Sequence, residues 1–114
     1  MKIKLAVLFG GKSVEHEISI ISALQACEYI NREKYEVIPL YMTKEGAFYT
    51  GEHIGHIERY KDIPLLLRES TRVLLLSEEG KVNMVRYPMK KLGSNVLGSI
   101  DVVFPIVHGT NVED

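Results

Sequence analysis

The chain has 114 residues, with Lys+Arg 14 against Asp+Glu 15 and a net charge of −1. That is the length of one small domain with a core of its own, and the charge balance excludes a basic nucleic-acid footprint and a disordered composition. One cysteine, Cys27, excludes an internal disulfide framework and a CxxC zinc site and fits a reducing cytoplasm. The apolar runs, such as Val102–Val107, are too short to cross a bilayer, and the N-terminal run is too short for a signal peptide.

Leu5-Ala6-Val7-Leu8-Phe9, stopped by Gly10-Gly11, reads as a strand buried on both faces. Ser13 is a natural N-cap, with Glu15 and Glu17 in the first turn of the helix that follows. Ile20, Ala23, Leu24, Cys27 and Ile30 form its buried stripe. Val14, Ile18 and Ile21 lie off that stripe and predict burial on a second side. Tyr35–Met42 reads as the second strand, which completes a βαβ unit. Lys44-Glu45-Gly46 is a turn and Ala47–Tyr49 a short extra strand. Residues 51–71 read as loop with one short helix around Leu65–Leu67.

Arg72–Ser77 and Lys81–Arg86 flank Glu78-Glu79-Gly80 as a hairpin, and residues 88–100 read as loop. Ile100–Val107 is a last buried strand, where Pro105 demands a bulge or an edge position. The sum is an α/β fold: a single three-layer domain over 1–114, with a mainly parallel sheet and a small β-hairpin insertion.

In such sheets ligands bind beyond the carboxyl ends of the strands. The first strand runs into Gly10–Glu17 and the last into His108–Asn111. If these strands are neighbours, Glu15 and His108 face one crevice, where a carboxylate beside an imidazole can bind an ammonium or move a proton. Gly10-Gly11 allows close backbone approach, and the helix start suits an anion.

Each residue also has a plainer reading. Glu15 and Glu17 read as first-turn acids, His108 as a strand-end histidine, Lys12 as a solvated lysine and Cys27 as a small core residue. Phe48, Tyr49, Tyr60 and Tyr87 read as scattered packing residues. Ala6–Ser13 fits a relaxed phosphate-loop pattern, but Val7-Leu8-Phe9 are strand interior rather than loop. His53-Ile54-Gly55-His56 spells a nucleotidyl-transfer signature in the wrong context, and as metal ligands its two histidines lack partners. The residues alone give a small α/β domain with an anion- or ammonium-binding crevice.

Leu8–Ser19 resembles the N-terminal signature of D-alanine–D-alanine ligases, and Val103–Gly109 followed by Glu113-Asp114 resembles that family's second signature. Leu40–Gly46 is similar to the family's second strand and turn, so the resemblance runs along the whole chain. It implies a Rossmann-like domain preceding an ATP-grasp fold, in a cytoplasmic ligase of peptidoglycan synthesis. Such ligases use ATP and Mg²⁺ (or Mn²⁺) to join two D-alanines through an acylphosphate.

By position, the resemblance makes Glu15 the carboxylate that holds the first D-alanine's ammonium, tied to a Ser and a Tyr of later domains. Ile18 lines the same subsite. His108 lies beside it, orienting the substrate or tuning its charge, and Gly11 and Ser13 shape the turn that presents Glu15. Glu15 and His108 are the catalytic candidates.

Val112 stands where the family has a glycine, and the sequence stops before the signature's closing glycine. The expectation is a domain that lacks the ATP-grasp part of its polypeptide. It is inactive alone, holds no metal or cofactor itself, has D-alanine and the missing domains as partners, and in the whole enzyme can form a homodimer. Two alternatives stay open: a ligase making D-Ala-D-Ser or D-Ala-D-lactate, and a non-catalytic small-molecule-binding domain.

Overall fold

The computed structural model describes residues 2–11 and 16–106. Strand β1 is Ile3–Gly10, helix α1 His16–Tyr29, strand β2 Tyr35–Met42 and strand β3 Phe48–Thr50. Two 3-10 turns, Glu52–Gly55 and Ile57–Lys61, lead to helix α2, Ile63–Arg68. Strands β4 (Thr71–Glu78), β5 (Lys81–Arg86), β6 (Val96–Ile100) and β7 (Val102–Ile106) follow.

All seven strands belong to one sheet of order β6-β5-β4-β3-β2-β1-β7. β1 pairs in parallel with β2 and with β7, and the remaining neighbours are antiparallel. The α/β class holds and the sheet is mixed. The expected hairpin is β4–β5, continuous with the parallel strands rather than set apart from them.

β1 is buried on both faces, as its unbroken apolar run requires. Leu5, Val7 and Phe9 join a core with Ile20, Ala23 and Cys27 of α1, Tyr41 of β2, Ile54 and Leu66. On the other face Ala6 joins Leu40, Val73, Met84 and Ile100. Each fully buried large side chain contributes on the order of 2 kcal/mol through surface removed from water.

The second core has a topological cause. β6 and β7 stand at opposite ends of the strand order, yet only Asp101 separates them in sequence. The sheet therefore rolls over, carrying β4–β6 across the face of β1 and β2. Asp101 closes the roll: its N–H donates to the Lys4 carbonyl at 2.9 Å, and its carboxylate accepts the Lys4 N–H at 2.8 Å. The layers are thus the helices, the parallel strands and the returning antiparallel strands.

Four details differ from the sequence reading. Residues 96–100 form β6 instead of loop, and the last strand begins at Val102 because Asp101 turns the chain between β6 and β7. β7 is not the buried strand expected: as the edge strand it leaves Val102, Val103 and Phe104 46%, 40% and 49% exposed, while Pro105, opposite Leu8, takes the edge position that its missing ladder donor calls for. Ile18 and Ile21 are not buried: they remain 51% and 48% exposed, because α1 packs on the sheet through its other side alone. Val14 lies outside the described residues. Finally, residues 51–71 are more ordered than loop, with Asp62 capping α2 by accepting the Leu65 N–H.

Tyr60 is also less scattered than its spacing suggests. It meets Tyr41 edge-on at 5.3 Å and Phe9 at a tilt at 6.3 Å between ring centres, and its hydroxyl donates to the Ile54 carbonyl at 2.7 Å. Burial, and then the nearby Glu45, pushes the Tyr41 phenol up to about 12. Burial, and then Tyr41 and Cys27, raises Tyr60 as well. Burial likewise raises the Cys27 thiol against a smaller pull from Arg32.

An unfolded chain releases tyrosine protons near pH 10, and the folded chain keeps these two longer. The stability they contribute is full below about pH 10 and falls as pH rises toward about 12. An absorbance titration of the native chain should leave two tyrosines neutral at about pH 11 that ionise on adding denaturant. Absence of that second step would count against the ring cluster.

Candidate functional site

The parallel pairing of β1 with β7 places Phe9 opposite Ile106, so the two strands end side by side. These are the ends that run into the two sequence signatures, and the condition set above, that they be neighbours, is met. Ser13, Glu15 and His108 themselves lie outside the described residues.

The chain leaves β1 through Gly10 and Gly11, at φ 95° and 91°. These values belong to the left-handed region that side chains disfavour. Gly11 donates its N–H to the Met42 carbonyl at 2.9 Å, which ties the turn to the end of β2. A Cβ on Gly10 would run into that same carbonyl oxygen and crowd the Tyr41 ring at 3.0 Å. Among the described residues, a Cβ on Gly11 would meet the movable Met42 Cε at 2.8 Å. Gly11, expected to shape the turn, does so together with Gly10, which bears the tighter constraint.

Ile18, in the first turn of α1, is half exposed on the helix side away from the sheet. Its neighbour Ser19 points the other way and is fully buried. Ser19 Oγ accepts the Gly10 N–H at 3.0 Å and donates to the Ile106 carbonyl. The sequence reading gave Ser19 no role. Its signal was a hydroxyl on the stripe continued by Ala23 and Cys27 at four-residue spacing, where a buried polar group needs partners.

Other polar features stand apart from this rim. His56 faces Glu58 at 3.7 Å on the surface, and Arg59 pairs with Glu69 at 3.1 Å, both largely in water and worth little. An open groove of about 290 Å³ runs beside α1, lined by Ile21, Leu24, Glu28, His56 and Ile57 among other described residues. Among the described residues no group of three or more His, Cys, Asp and Glu is placed to hold a metal ion.

Residues 4–114 match the family model described as the D-ala D-ala ligase N-terminus. The chain belongs to this family. It is 38% identical over 112 residues to the D-alanine–D-alanine ligase of Thermosipho melanesiensis, covering 98% of this chain and 29% of that protein. With the D-alanine–D-alanine ligase of Chlorobium limicola it shares 41% over 119 residues, covering 99% of this chain and 31% of that one. Among solved structures, the VanG D-Ala:D-Ser ligase from Enterococcus faecalis superposes with a TM-score of 0.70 at 31% identity, covering 100% of this chain and 31% of that one. The D-alanine–D-alanine ligase from Helicobacter pylori gives 0.69 at 26%, covering 98% and 32%. The chain thus spans about three-tenths of the length of the ligases it matches.

In this ligase N-terminal domain, Gly10→Ala should lower stability by about 2–4 kcal/mol, since it combines a strained φ with a backbone clash. Gly11→Ala should lower it by about 1–2 kcal/mol, because Met42 Cε can give way. Urea midpoints measure both, and a Gly10→Ala chain as stable as the parent would refute the turn geometry.

Proposed function

We propose that this chain is the substrate-binding N-terminal part of an ATP-dependent ligase that makes D-alanyl-D-alanine for peptidoglycan synthesis. The observation that supports this reading is the side-by-side ending of β1 and β7, the strands that lead into the two signature segments. Family membership supplies the substrate class.

ATP transfers its γ-phosphoryl group to the carboxylate of the first D-alanine, giving an acylphosphate and ADP. The amine of the second D-alanine attacks the acyl carbon, phosphate leaves, and the peptide bond forms. Glu15 holds the first substrate's ammonium, which fixes that end and leaves the carboxylate free to turn toward ATP. A charged partner suits this task, because an ammonium taken out of water is held by a carboxylate about twice as strongly as by a neutral acceptor.

Ile18 offers the alanine methyl an apolar neighbour. Gly10 and Gly11 set the course of the backbone that leads to Ser13 and Glu15. His108 orients the first substrate or adjusts its charge. ATP, the Mg²⁺ (or Mn²⁺) ions and the second subsite belong to the part of the polypeptide beyond this chain. A cytoplasmic setting and a homodimer of the whole enzyme complete the proposal.

A second reading has its own support, since VanG, which superposes with a TM-score of 0.70, is a D-Ala:D-Ser ligase. Offering D-alanine with D-serine or D-lactate to the full-length protein and weighing the products separates the two.

In the full-length protein, Glu15→Gln should lower D-alanine-dependent phosphate release by about 100-fold, the loss expected when a charged hydrogen bond to the substrate is removed. Wild-type rates in that variant would refute the role of Glu15. The 114-residue chain alone should form no dipeptide from ATP and D-alanine, and turnover by it would overturn the division of labour.

A further inference from the structure

The hydrogen bonds of Ser19 span more of the chain than a local cap would. Gly10 lies nine residues before it, and Ile106 lies 87 residues after it. A serine inside a helix ordinarily turns its hydroxyl to solvent or back to a carbonyl of the preceding turn. The Ser19 hydroxyl instead donates to the Ile106 carbonyl of β7 and accepts the Gly10 N–H.

The ladder between β1 and β7 ends with Phe9 opposite Ile106. The Ser19 hydroxyl supplies one further link just past that end, between the last residue of β1 and the last of β7. Three segments meet on a single oxygen: the glycine turn, the first turn of α1 and the end of β7. In sequence, Glu15 lies four residues before Ser19, and His108 lies two residues after Ile106.

We infer that Ser19 is a positioning residue, a latch whose hydroxyl sets the spacing between the two strand ends that carry the first-substrate subsite. This rests on the substrate-binding reading above. Ser19 touches no substrate in this role; it acts through the backbone of Gly10 and Ile106. A purely structural role, in which the hydroxyl only satisfies two buried backbone groups, predicts a general loss of stability instead. The two are separated by where the damage appears.

The test is Ser19→Ala in the full-length protein, read by steady-state kinetics and by amide hydrogen exchange. The latch predicts a D-alanine KM raised about tenfold with the ATP KM unchanged, and exchange about tenfold faster at Phe9–Gly11 but unaltered along β5. An unchanged D-alanine KM would overturn it. So would exchange accelerated equally everywhere, with activity falling in step with the folded fraction.

If the wild-type protein shows no turnover that depends on D-alanine, the substrate-binding reading fails on its own. The exchange data then decide the latch: selective acceleration at Gly10 upholds it, and uniform acceleration overturns it. Should Ser19→Ala fail to fold, Ser19→Cys keeps the size with a weaker donor and is read in the same way.

Discussion

The double burial of β1 governs the rest of the structure. A strand with partners on both edges and neighbours on both faces has no freedom of register: a one-residue slip would exchange Leu5, Val7 and Phe9 with Ala6 and Leu8 and ruin both cores. One core needs large side chains against α1. The other admits Ala6, because the rolled strands β4–β6 bring Val73, Met84 and Ile100 to meet it. The sequence of β1 is therefore solved for two surfaces at once, and its carboxyl end is held in place by everything packed around it.

The site inherits this rigidity. Gly10 turns the chain at a point where the Met42 carbonyl and the Tyr41 ring leave no room for a side chain. Tyr41 is in turn held by Phe9 and Tyr60. The glycine turn is thus built on an aromatic cluster rather than on a free loop. Family membership gives this arrangement its context, and the described part of the rim shows how the scaffold alone can hold two distant stretches of chain together.

Much of the architecture was legible in the sequence because it rests on local signals. The unbroken run Leu5–Phe9, the glycine stop, the helical stripe from Ile20 to Ile30 and the hairpin around Glu78-Glu79-Gly80 each carry their pattern within a few residues. β6 was hidden because Gly98 and Ser99 are poor strand formers, and the strand is specified by its pairing with β5, including a bulge at Met84/Val85. Burial expected at Ile18 and Ile21 failed because periodicity reports that a face is apolar and not whether anything covers it. In the candidate site, the motif positions were legible as residue types in a signature. Ser19 was not, since its partners lie in β1 and β7 and only the fold brings them within reach.

The one-residue passage from β6 to β7 has a consequence for the order of assembly. Lys4 and Asp101 are 97 residues apart in sequence, and the strands between them include those that lie across the parallel face. Closing so long a loop is an entropic debt that falls due before the last pairing returns anything, so the β1–β7 seam is the high-contact-order event of this chain. On a ribosome, the N-terminal signature would emerge early and wait, unpaired on that edge, until nearly the whole domain had been synthesised. The seam between β1 and β7 thus joins the first strand of the domain to its last.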